Sequence, residues 1–242
     1  MSNSYKSDIG SWITIPSEIV AEIFSRQPYD FIVIDLEHSV ISIESMQNLI
    51  RIVQSHNTRC LVRISENNTN LIKKVMDSGA DGIIVPMVNS ADEVKNIIDS
   101  VYYPPHGKRG VGLARAQAYG EAFDEYLLKN INKEFEIIVQ IEHIDAVHNI
   151  DEIIKEDEVN GFMIGPYDLS ASIGDPGNFE SDEYKNALKI IENKSKKYNK
   201  KQGIHLIEPS PDRLKELIDK NYDFIIYSFD TRMLSISAKE LF

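Results

Sequence analysis

The sequence predicts an α/β fold of the (β/α)8 TIM barrel type, in which eight parallel strands alternate with helices. Two observations support this prediction: short apolar runs rich in Val and Ile recur along the chain, and amphipathic stretches with helical spacing lie between them. The main alternative is an open doubly wound sheet. That alternative is disfavoured because no G-x-G-x-x-G follows the first strand and no P-loop motif occurs.

The eight predicted strands have few polar breaks, which is typical of parallel strands buried on both faces. They cover residues 11–15, 30–37, 60–65, 82–88, 136–142, 161–166, 203–208 and 224–230. A chain of 242 residues is long enough for one barrel or for two small domains. Since no linker or low-complexity stretch interrupts the alternation, we expect a single barrel domain over residues 1–242.

Four of the intervening stretches carry clear helix signals. Residues 42–56 have an apolar face made of Ile43, Met46, Leu49, Ile50 and Val53. Residues 68–79 end in a glycine, which suits the position just beyond a helix. Residues 90–101 begin with S-x-x-E, a capping box, and residues 210–221 repeat the amphipathic pattern.

One long insertion separates the fourth and fifth strands. Residues 102–130 read "YYPPHGKRGVGLARAQAYGEAFDEYLLKN", with Pro and Gly punctuating the first half. Long ordered insertions on a barrel are often functional. We therefore expect residues 104–126, together with a neighbouring subunit, to help build one end of the substrate pocket.

Composition excludes several classes of partner. The formal net charge of −12 repels phosphate backbones and anionic lipid, so neither nucleic acid nor a membrane surface is expected as a partner. The single cysteine, Cys60, lies in an apolar run and is interpreted as a small buried hydrophobe; it indicates a cytoplasmic protein without a disulfide framework. The sequence has no signal-peptide pattern and no apolar run long enough to span a membrane.

Polar residues cluster at the predicted strand ends, and in a (β/α)8 barrel the chemistry lies at the C-terminal ends of the strands. In chain order these residues are Asp35, Glu37, His38, Arg63, Gln140, Glu142, Asp168, His205, Glu208 and Asp230. No lysine occurs among them. This argues against a Schiff-base mechanism, which needs a desolvated lysine in the barrel mouth.

Two carboxylates form a candidate metal site. Gln140 and Glu142 are two residues apart and therefore lie on one face of their strand. Glu142 and Asp168, at the ends of neighbouring strands, would together offer hard oxygen ligands with open positions, as Mg²⁺ and Mn²⁺ prefer. The alternative is that each carboxylate caps the helix that follows it.

Arg63 and His38 are candidate catalytic residues. Arg63 stands inside an apolar run, where it either forms a buried ion pair or provides a fixed fork for a substrate carboxylate. His38 shares its strand end with Asp35, which could orient it as a base. The other five histidines share no predicted strand end with an aspartate, and most of them are interpreted as solvent-exposed or helix-capping residues.

Six motifs together resemble the HpcH/HpaI aldolase family, in order and with few gaps. They are "YDFIVIDLEHSV", "LVRISENN", "DSGADGIIVPMVNSADE", "YYPPHGKRGVGLARA", "VQIEHIDAVHNI" and "GFMIGPYDLSASIG". The resemblance runs from about Gly10 to Asp230 and is specific as a set. It implies a barrel of the phosphoenolpyruvate/pyruvate-binding type and a metal-dependent (class II) pyruvate aldolase that cleaves 4-hydroxy-2-keto acids.

The resemblance also implies roles for particular residues. Glu142 and Asp168 match the family's metal ligands for Mg²⁺, Mn²⁺ or Co²⁺, and Arg63 matches the arginine that holds the keto acid and steadies the enolate. His38 matches the general base. Gln140 matches a polar group near the keto oxygen.

Further implications concern backbone and supporting groups. The backbone from Gly165 through Pro166 to Tyr167 would offer N–H groups to the pyruvate carboxylate. Asp35 and Asp77 stand at the positions of carboxylates that support the base, and in the family the second reaches the site from a neighbouring subunit. A homo-oligomer, trimer or hexamer, is therefore expected.

The expected reaction is a retro-aldol cleavage to pyruvate and an aldehyde by way of a pyruvate enolate, with a 2-keto-3-deoxy sugar acid as one class of substrate. Two rivals stay open: an acyl-CoA lyase of the malyl- or citryl-CoA type, and a non-catalytic barrel that binds a keto acid. The chain departs from the family pattern at Leu36, where a small glycine usually precedes the Glu-His pair.

Overall fold

The computed structural model describes residues 6–239, which form a closed barrel of eight parallel strands in chain order. This confirms the predicted fold class. Each strand pairs with its sequence neighbours, and β1 closes the barrel against β8. The strands are β1 Asp8–Ile13, β2 Phe31–Asp35, β3 Arg59–Arg63, β4 Gly82–Val85, β5 Glu136–Ile141, β6 Gly161–Ile164, β7 Lys201–Leu206 and β8 Phe224–Phe229.

Helices surround this barrel, and a 3₁₀ turn at Arg115–Gly120 lies within the insertion. The α-helices are α1 Glu18–Ser25, α2 Ile43–Ser55, α3 Thr69–Asp77, α4 Ala91–Val101, α5 Phe123–Ile131, α6 Ile144–His148, α7 Ile150–Ile154, α8 Pro166–Ile173, α9 Asp182–Tyr198, α10 Pro211–Asp219 and α11 Asp230–Lys239. Within residues 6–239 no helix has the length and apolar character needed to cross a membrane.

The uninterrupted apolar runs are explained by two separate cores. Alternate strand residues such as Ile32 and Ile34 point outward and pack with the helices. Their neighbours, such as Val33 and Leu61, fill the barrel interior together with Trp12. Because both faces of each strand are buried, the strands show no polar alternation.

The cap signals in the sequence act as predicted. Ser90 accepts a hydrogen bond from the Glu93 N–H at 3.3 Å, and Gly79 has a φ of +89° just beyond α3. Ser42 also accepts a hydrogen bond, from the Ser45 N–H at 3.1 Å, and caps α2. Helix α1, which was not predicted from the sequence, is capped by Ser17.

The insertion lies at the N-terminal end of the barrel. It connects α4 to β5, and the connection from a helix to the next strand runs past the strand N-termini in this architecture. It packs against α3 and the start of β3, and Arg115 donates to the Ser78 carbonyl at 2.8 Å. No described residue of 104–126 lines the cavity at the opposite end. The expected contribution of this segment to the substrate pocket is therefore not seen within one chain.

A polar tier follows the apolar interior at the C-terminal end. Side chains on one strand face repeat every second residue, so Val33 is followed by Asp35 and Leu61 by Arg63. On β5, Ile138 is followed in the same way by Gln140. Apolar packing therefore closes the middle of the barrel, and polar groups line its mouth.

Candidate active site

A cavity of about 320 Å³ opens at the C-terminal mouth of the barrel. Nine of the ten residues predicted for the site line it: Asp35, His38, Arg63, Gln140, Glu142, Gly165, Pro166, Tyr167 and Asp168. These residues come from four segments, at the ends of β2, β3, β5 and β6. Parallel strands bring their C-terminal ends to one rim, which is why residues distant in sequence meet here.

Glu142 is a buried carboxylate without a cationic hydrogen-bond partner among the described residues. It is 5% exposed, and its oxygens accept from Met87 N–H at 2.7 Å and from Gln140 Nε2 at 2.8 Å. Burial raises its pKa to about 7; the Met87 hydrogen bond lowers it, and the charges of Glu37 and Asp168 raise it. Negative charge is thus concentrated at this wall of the cavity, and a cation would relieve it.

Asp168 is the third residue of α8 and lies, exposed, on the same cavity. Two carboxylates suit a hard cation such as Mg²⁺, which uses one or two protein carboxylates and completes its shell with water and substrate. Residues 6–239 contain no group of three or more His, Cys, Asp or Glu arranged to hold a metal. The donor set therefore fits an open, substrate-completed site and not a closed structural one.

Gly165 is explained by the close approach of Glu142. A Cβ at this position would lie 2.7 Å from Glu142 Oε2 and 2.9 Å from its Cβ. The glycine that ends β6 therefore makes room for the carboxylate of the neighbouring strand. The Gly165 N–H is itself used within the sheet, where it donates to the Ile141 carbonyl at 3.3 Å.

This changes the expectation that the Gly165–Tyr167 backbone offers several N–H groups to a ligand. Gly165 donates to the sheet, and Pro166 has no N–H. Pro166 starts α8, so the backbone N–H groups of Tyr167 and Asp168 belong to the first turn, which lacks intrahelical acceptors. The donors available here are one residue further along than predicted.

Arg63 is held in a fixed orientation by Asp35 and Trp12. Its Nε and Nη2 donate to the two Asp35 oxygens at 2.8 and 2.7 Å, and the guanidinium carbon lies 4.2 Å from the centre of a Trp12 ring. The Arg63 side chain is 11% exposed. Its Nη1 has no partner among the described residues and is the donor left for a ligand.

The sequence predicted that Asp35 orients the His38 ring. In the structure Asp35 contacts the backbone N–H of His38, and no hydrogen bond joins Asp35 to the imidazole. Asp35 Oδ1 accepts from the Glu37 N–H at 3.0 Å and from the His38 N–H at 3.4 Å, and both carboxylate oxygens accept from Arg63. The His38 ring is 70% exposed, and its nearest acid is Glu37, at 3.8 Å. Glu37 also lies 3.3 Å from Arg63 Nε, and burial raises its pKa.

Asp77 is the one predicted site residue that lies elsewhere. It ends α3, and helix C-termini lie at the opposite end of the barrel from this cavity. There it faces the buried Arg109, with Oδ1 and Nη1 3.9 Å apart. Within one chain, Asp77 does not reach His38.

Several residues that line the cavity were not predicted from the sequence. Trp12, Met163 and Phe229 form apolar parts of its wall. His205, a predicted strand-end residue that was given no catalytic role, also lines it, whereas His143 caps α6. The sequence does hold a signal for this position, the alternation of side chains between the two faces of a strand. His205 is two residues beyond Gly203 on β7 and therefore points to the same, inward face. No lysine lines the cavity within the described chain, as predicted.

Fold and cavity together define a (β/α)8-barrel enzyme whose acidic pair and fixed arginine share the C-terminal mouth. Comparison with known proteins specifies this class further. The model of the HpcH/HpaI aldolase/citrate lyase family matches residues 8–236. The chain belongs to this family, as its six motifs indicated.

A curated relative is 2-keto-3-deoxy-L-rhamnonate aldolase of Escherichia coli O17:K52:H18, 31% identical over 229 residues that cover 94% of this chain and 84% of the relative. A solved HpcH/HpaI aldolase/citrate lyase family protein from Burkholderia cenocepacia superposes with a TM-score of 0.89 at 24% identity, covering 98% and 93% of the two chains. A citrate lyase β subunit from M. tuberculosis, solved with oxaloacetate and magnesium, shares the fold at a TM-score of 0.63 and 12% identity, covering 95% and 94%.

Proposed function

We propose that this protein is a divalent-metal-dependent aldolase that cleaves a 4-hydroxy-2-keto acid to pyruvate and an aldehyde, with a 2-keto-3-deoxy sugar acid as substrate class. The observation that carries the proposal is the shared cavity. It brings together two carboxylates, Glu142 and Asp168, and an arginine with one free donor, Arg63. The name of the curated relatives, a 2-keto-3-deoxy sugar acid aldolase, supports the same class.

Glu142 and Asp168 are the proposed metal ligands. Burial, with the nearby charges of Glu37 and Asp168, raises the pKa of Glu142 to about 7, and a bound cation would keep this carboxylate ionised. When bound, Mg²⁺, Mn²⁺ or Co²⁺ would supply Lewis-acid polarisation of the keto oxygen. The citrate lyase β subunit from M. tuberculosis, which was solved with magnesium, supports the choice of a hard divalent ion.

Arg63 is the proposed clamp for the keto-acid end of the substrate. Asp35 occupies two of its nitrogens and Trp12 one face, so Nη1 has a defined direction. A donor held this way stabilises charge that develops on the enolate without reorganisation during the reaction. Gln140 supports the site by donating to Glu142, while its buried Oε1 has no partner in the described chain.

Two free backbone donors complete the proposed carboxylate contacts. The N–H groups of Tyr167 and Asp168 lie at the positive end of α8, where an anionic group is stabilised by the helix dipole. The residues Gly165 and Pro166 shape this corner without donating. The pyruvate carboxylate is the group that these donors suit.

His38 is the proposed base, acting directly or through one water on the C4 hydroxyl proton. In the reverse direction it would remove a methyl proton from pyruvate. Its exposed ring lies at the cavity rim, with Glu37 as the nearest acid. Asp35 would assist through the His38 backbone and through Arg63, and not through the imidazole ring.

Asp77 can support the base only in an oligomer of this chain. Because it lies at the far end of the barrel, a supporting role for its carboxylate requires a second copy of the chain, in keeping with the expected trimer or hexamer. We propose this homo-oligomer, a single functional domain over residues 1–242 and a cytoplasmic location on sequence grounds. Analytical ultracentrifugation of the purified chain tests the oligomeric state.

The first test is deuterium exchange into the methyl group of pyruvate, followed by ¹H NMR in D₂O with Mg²⁺ or Mn²⁺ and again with a chelator. It measures enolisation without any knowledge of the aldehyde. Exchange that requires metal would support the aldolase. Absence of exchange with every metal would overturn it in favour of a thioester-cleaving lyase or a barrel that only binds a keto acid.

A further inference from the structure

A turn outside the cavity holds one of the two proposed metal ligands. Residues 86–90 form this turn and connect β4 to α4. The backbone N–H of Met87 donates to Glu142 Oε1 at 2.7 Å, while Gln140 Nε2 donates to Glu142 Oε2 at 2.8 Å. Both oxygens of this buried carboxylate are therefore oriented by hydrogen bonds, and one of the two bonds comes from the turn.

Met87 has a backbone conformation that a methionine rarely adopts. Its φ is +52°, in the left-handed region, where a residue with a Cβ is strained and a glycine is not. Pro86 and Val88 on either side are buried, whereas Met87 is exposed and does not line the cavity. Because an exposed side chain has little packing to hold such a conformation, the support must come from contacts of the backbone.

Asn89 provides that support. Its Nδ2 donates to the Met87 carbonyl at 3.1 Å, a local side-chain-to-backbone bond of the kind that asparagine forms in turns. Its Oδ1 is buried without a partner among the described residues. Within residues 6–239 the bond to Met87 is therefore the single hydrogen bond that the Asn89 side chain makes.

The backbone of Asn89 is fixed separately from its side chain. Its N–H donates to Glu93 Oε2 at 2.7 Å, and its carbonyl accepts from Asn149 Nδ2 at 2.8 Å. Glu93 lies in α4, and Asn149 lies between α6 and α7, in the segment that follows Glu142. A substitution of the Asn89 side chain leaves both of these contacts in place, so it tests the bond to Met87 alone.

We propose that Asn89 is a positioning residue for Glu142: its amide holds Met87 in the left-handed conformation that directs the Met87 N–H to the carboxylate. This inference rests on the proposed function, since it takes Glu142 to be a metal ligand. Groups that hydrogen-bond a ligating carboxylate orient it, and their loss weakens metal binding although every ligand is still present.

The test is the Kd for Mn²⁺, measured by isothermal titration calorimetry without substrate. In Asn89→Ala we expect Kd to rise about tenfold or more, because Met87 relaxes to negative φ and its N–H turns away from Glu142. In the double variant Met87→Gly/Asn89→Ala, Kd should return to within about threefold of wild type, since glycine adopts the left-handed region without support. A residue that served stability alone would not show this rescue.

Asn67→Ala is the matched control. The Asn67 amide donates to the Glu93 carbonyl, also at 3.1 Å, and its other hydrogen bonds are with Asn96 and not with the turn. The Kd for Mn²⁺ should therefore be unchanged in this variant. Were Asn89→Ala to fail to fold, Asn89→Leu would replace it, because leucine has a similar shape and no donor.

Three results would overturn the role of Asn89. They are an unchanged Kd in the Asn89 variant, an equal loss in Asn67→Ala, and a loss that Met87→Gly does not reverse. Absence of Mn²⁺ binding by the wild-type protein would instead overturn the metal site, and with it the proposed function.

Discussion

A charged residue stands at or directly beyond each end of strands β3 and β5, and the charges at the two ends are paired differently. At the N-terminal end, Arg59 Nη1 donates to Glu136 at 3.0 Å and its Nη2 to Asp8 at 2.7 Å. Lys201 lies 3.8 Å from the same glutamate. Each of these four charges has an opposite charge as partner, and the pairs connect β1, β3, β5 and β7.

At the C-terminal end the corresponding residues do not pair with each other. Arg63 is bound by Asp35, and Glu142 accepts only from a backbone N–H and from Gln140. Both arginines also lie over an aromatic ring, Phe31 for Arg59 and Trp12 for Arg63. The residue types are therefore the same at the two ends, and the pairing differs.

This difference shows what distinguishes a site from a structural ion pair. A paired surface charge contributes little, about 0–1 kcal/mol, whereas a buried charge without an opposite partner costs stability. Glu142 carries that cost next to the cavity. Charges at the mouth are left available to a metal ion and a substrate, and charges at the base are not.

The largest expected effect separates Glu136, which begins β5, from Glu142, which directly follows it. Glu142→Gln should reduce metal-dependent methyl exchange of pyruvate by at least about 1,000-fold, because the Lewis acid contributes several kcal/mol. Glu136→Gln, the matched control, should leave exchange within about threefold, since its contacts lie at the other end. NMR exchange rates and Mn²⁺ titration check both. Equal losses in the two variants would show that the comparison is wrong.

Arg63→Lys should give the next largest effect. Lysine keeps the charge, but it has a single side-chain nitrogen. That nitrogen cannot bind both Asp35 oxygens and also donate to a ligand in a fixed direction. We expect exchange to fall by about 100- to 1,000-fold, the usual cost of removing one oriented donor. The rate at saturating pyruvate separates this loss from weaker binding. A variant that exchanges at the wild-type rate would exclude Arg63 as the enolate-stabilising group.

The pKa of Glu142 predicts a pH dependence of stability in metal-free protein. Folding raises this pKa from 4.5 to about 7, so the folded state holds the proton more tightly and stability is lost as pH rises through 7. Relative to wild type, Glu142→Gln should therefore gain free energy of unfolding between pH 4.5 and pH 8, on the order of 3 kcal/mol. Urea titrations of the two metal-free proteins at several pH values measure this free energy of unfolding. If it varied with pH in the same way in both proteins, Glu142 would not be the source of the pH dependence.

The sequence predicted the fold and most of the site because both depend on local patterns. Apolar runs buried on two faces indicate parallel strands, and polar residues at their C-terminal ends are brought together by the closure of the barrel. Nine of the ten predicted residues line one cavity for this reason. Only Asp77, whose predicted role came from resemblance and not from a strand end, lies elsewhere.

Other features required coordinates because they depend on pairing between strands. The sequence suggested that Asp35 orients His38, but a register that sets Asp35 opposite Arg63 directs it to the arginine. The same applies to His205, whose Nε2 is buried without a partner among the described residues. The insertion follows a helix and precedes a strand, so within one chain it lies at the N-terminal end of the barrel, away from the cavity.

The smallest expected effect tests the closed end of the barrel alone. Arg59→Met removes the charge and keeps much of the hydrocarbon stem, so both carboxylate pairs are lost while the contact with Phe31 is largely retained. Because the Arg59 side chain is 40% exposed, the pairs are screened by water, and we expect the free energy of unfolding to fall by about 1 kcal/mol. That corresponds to a decrease in Tm of about 2–4 °C, measured by calorimetry. Methyl exchange should be unchanged, and a large loss would mean that the base of the barrel positions Arg63 through strand β3.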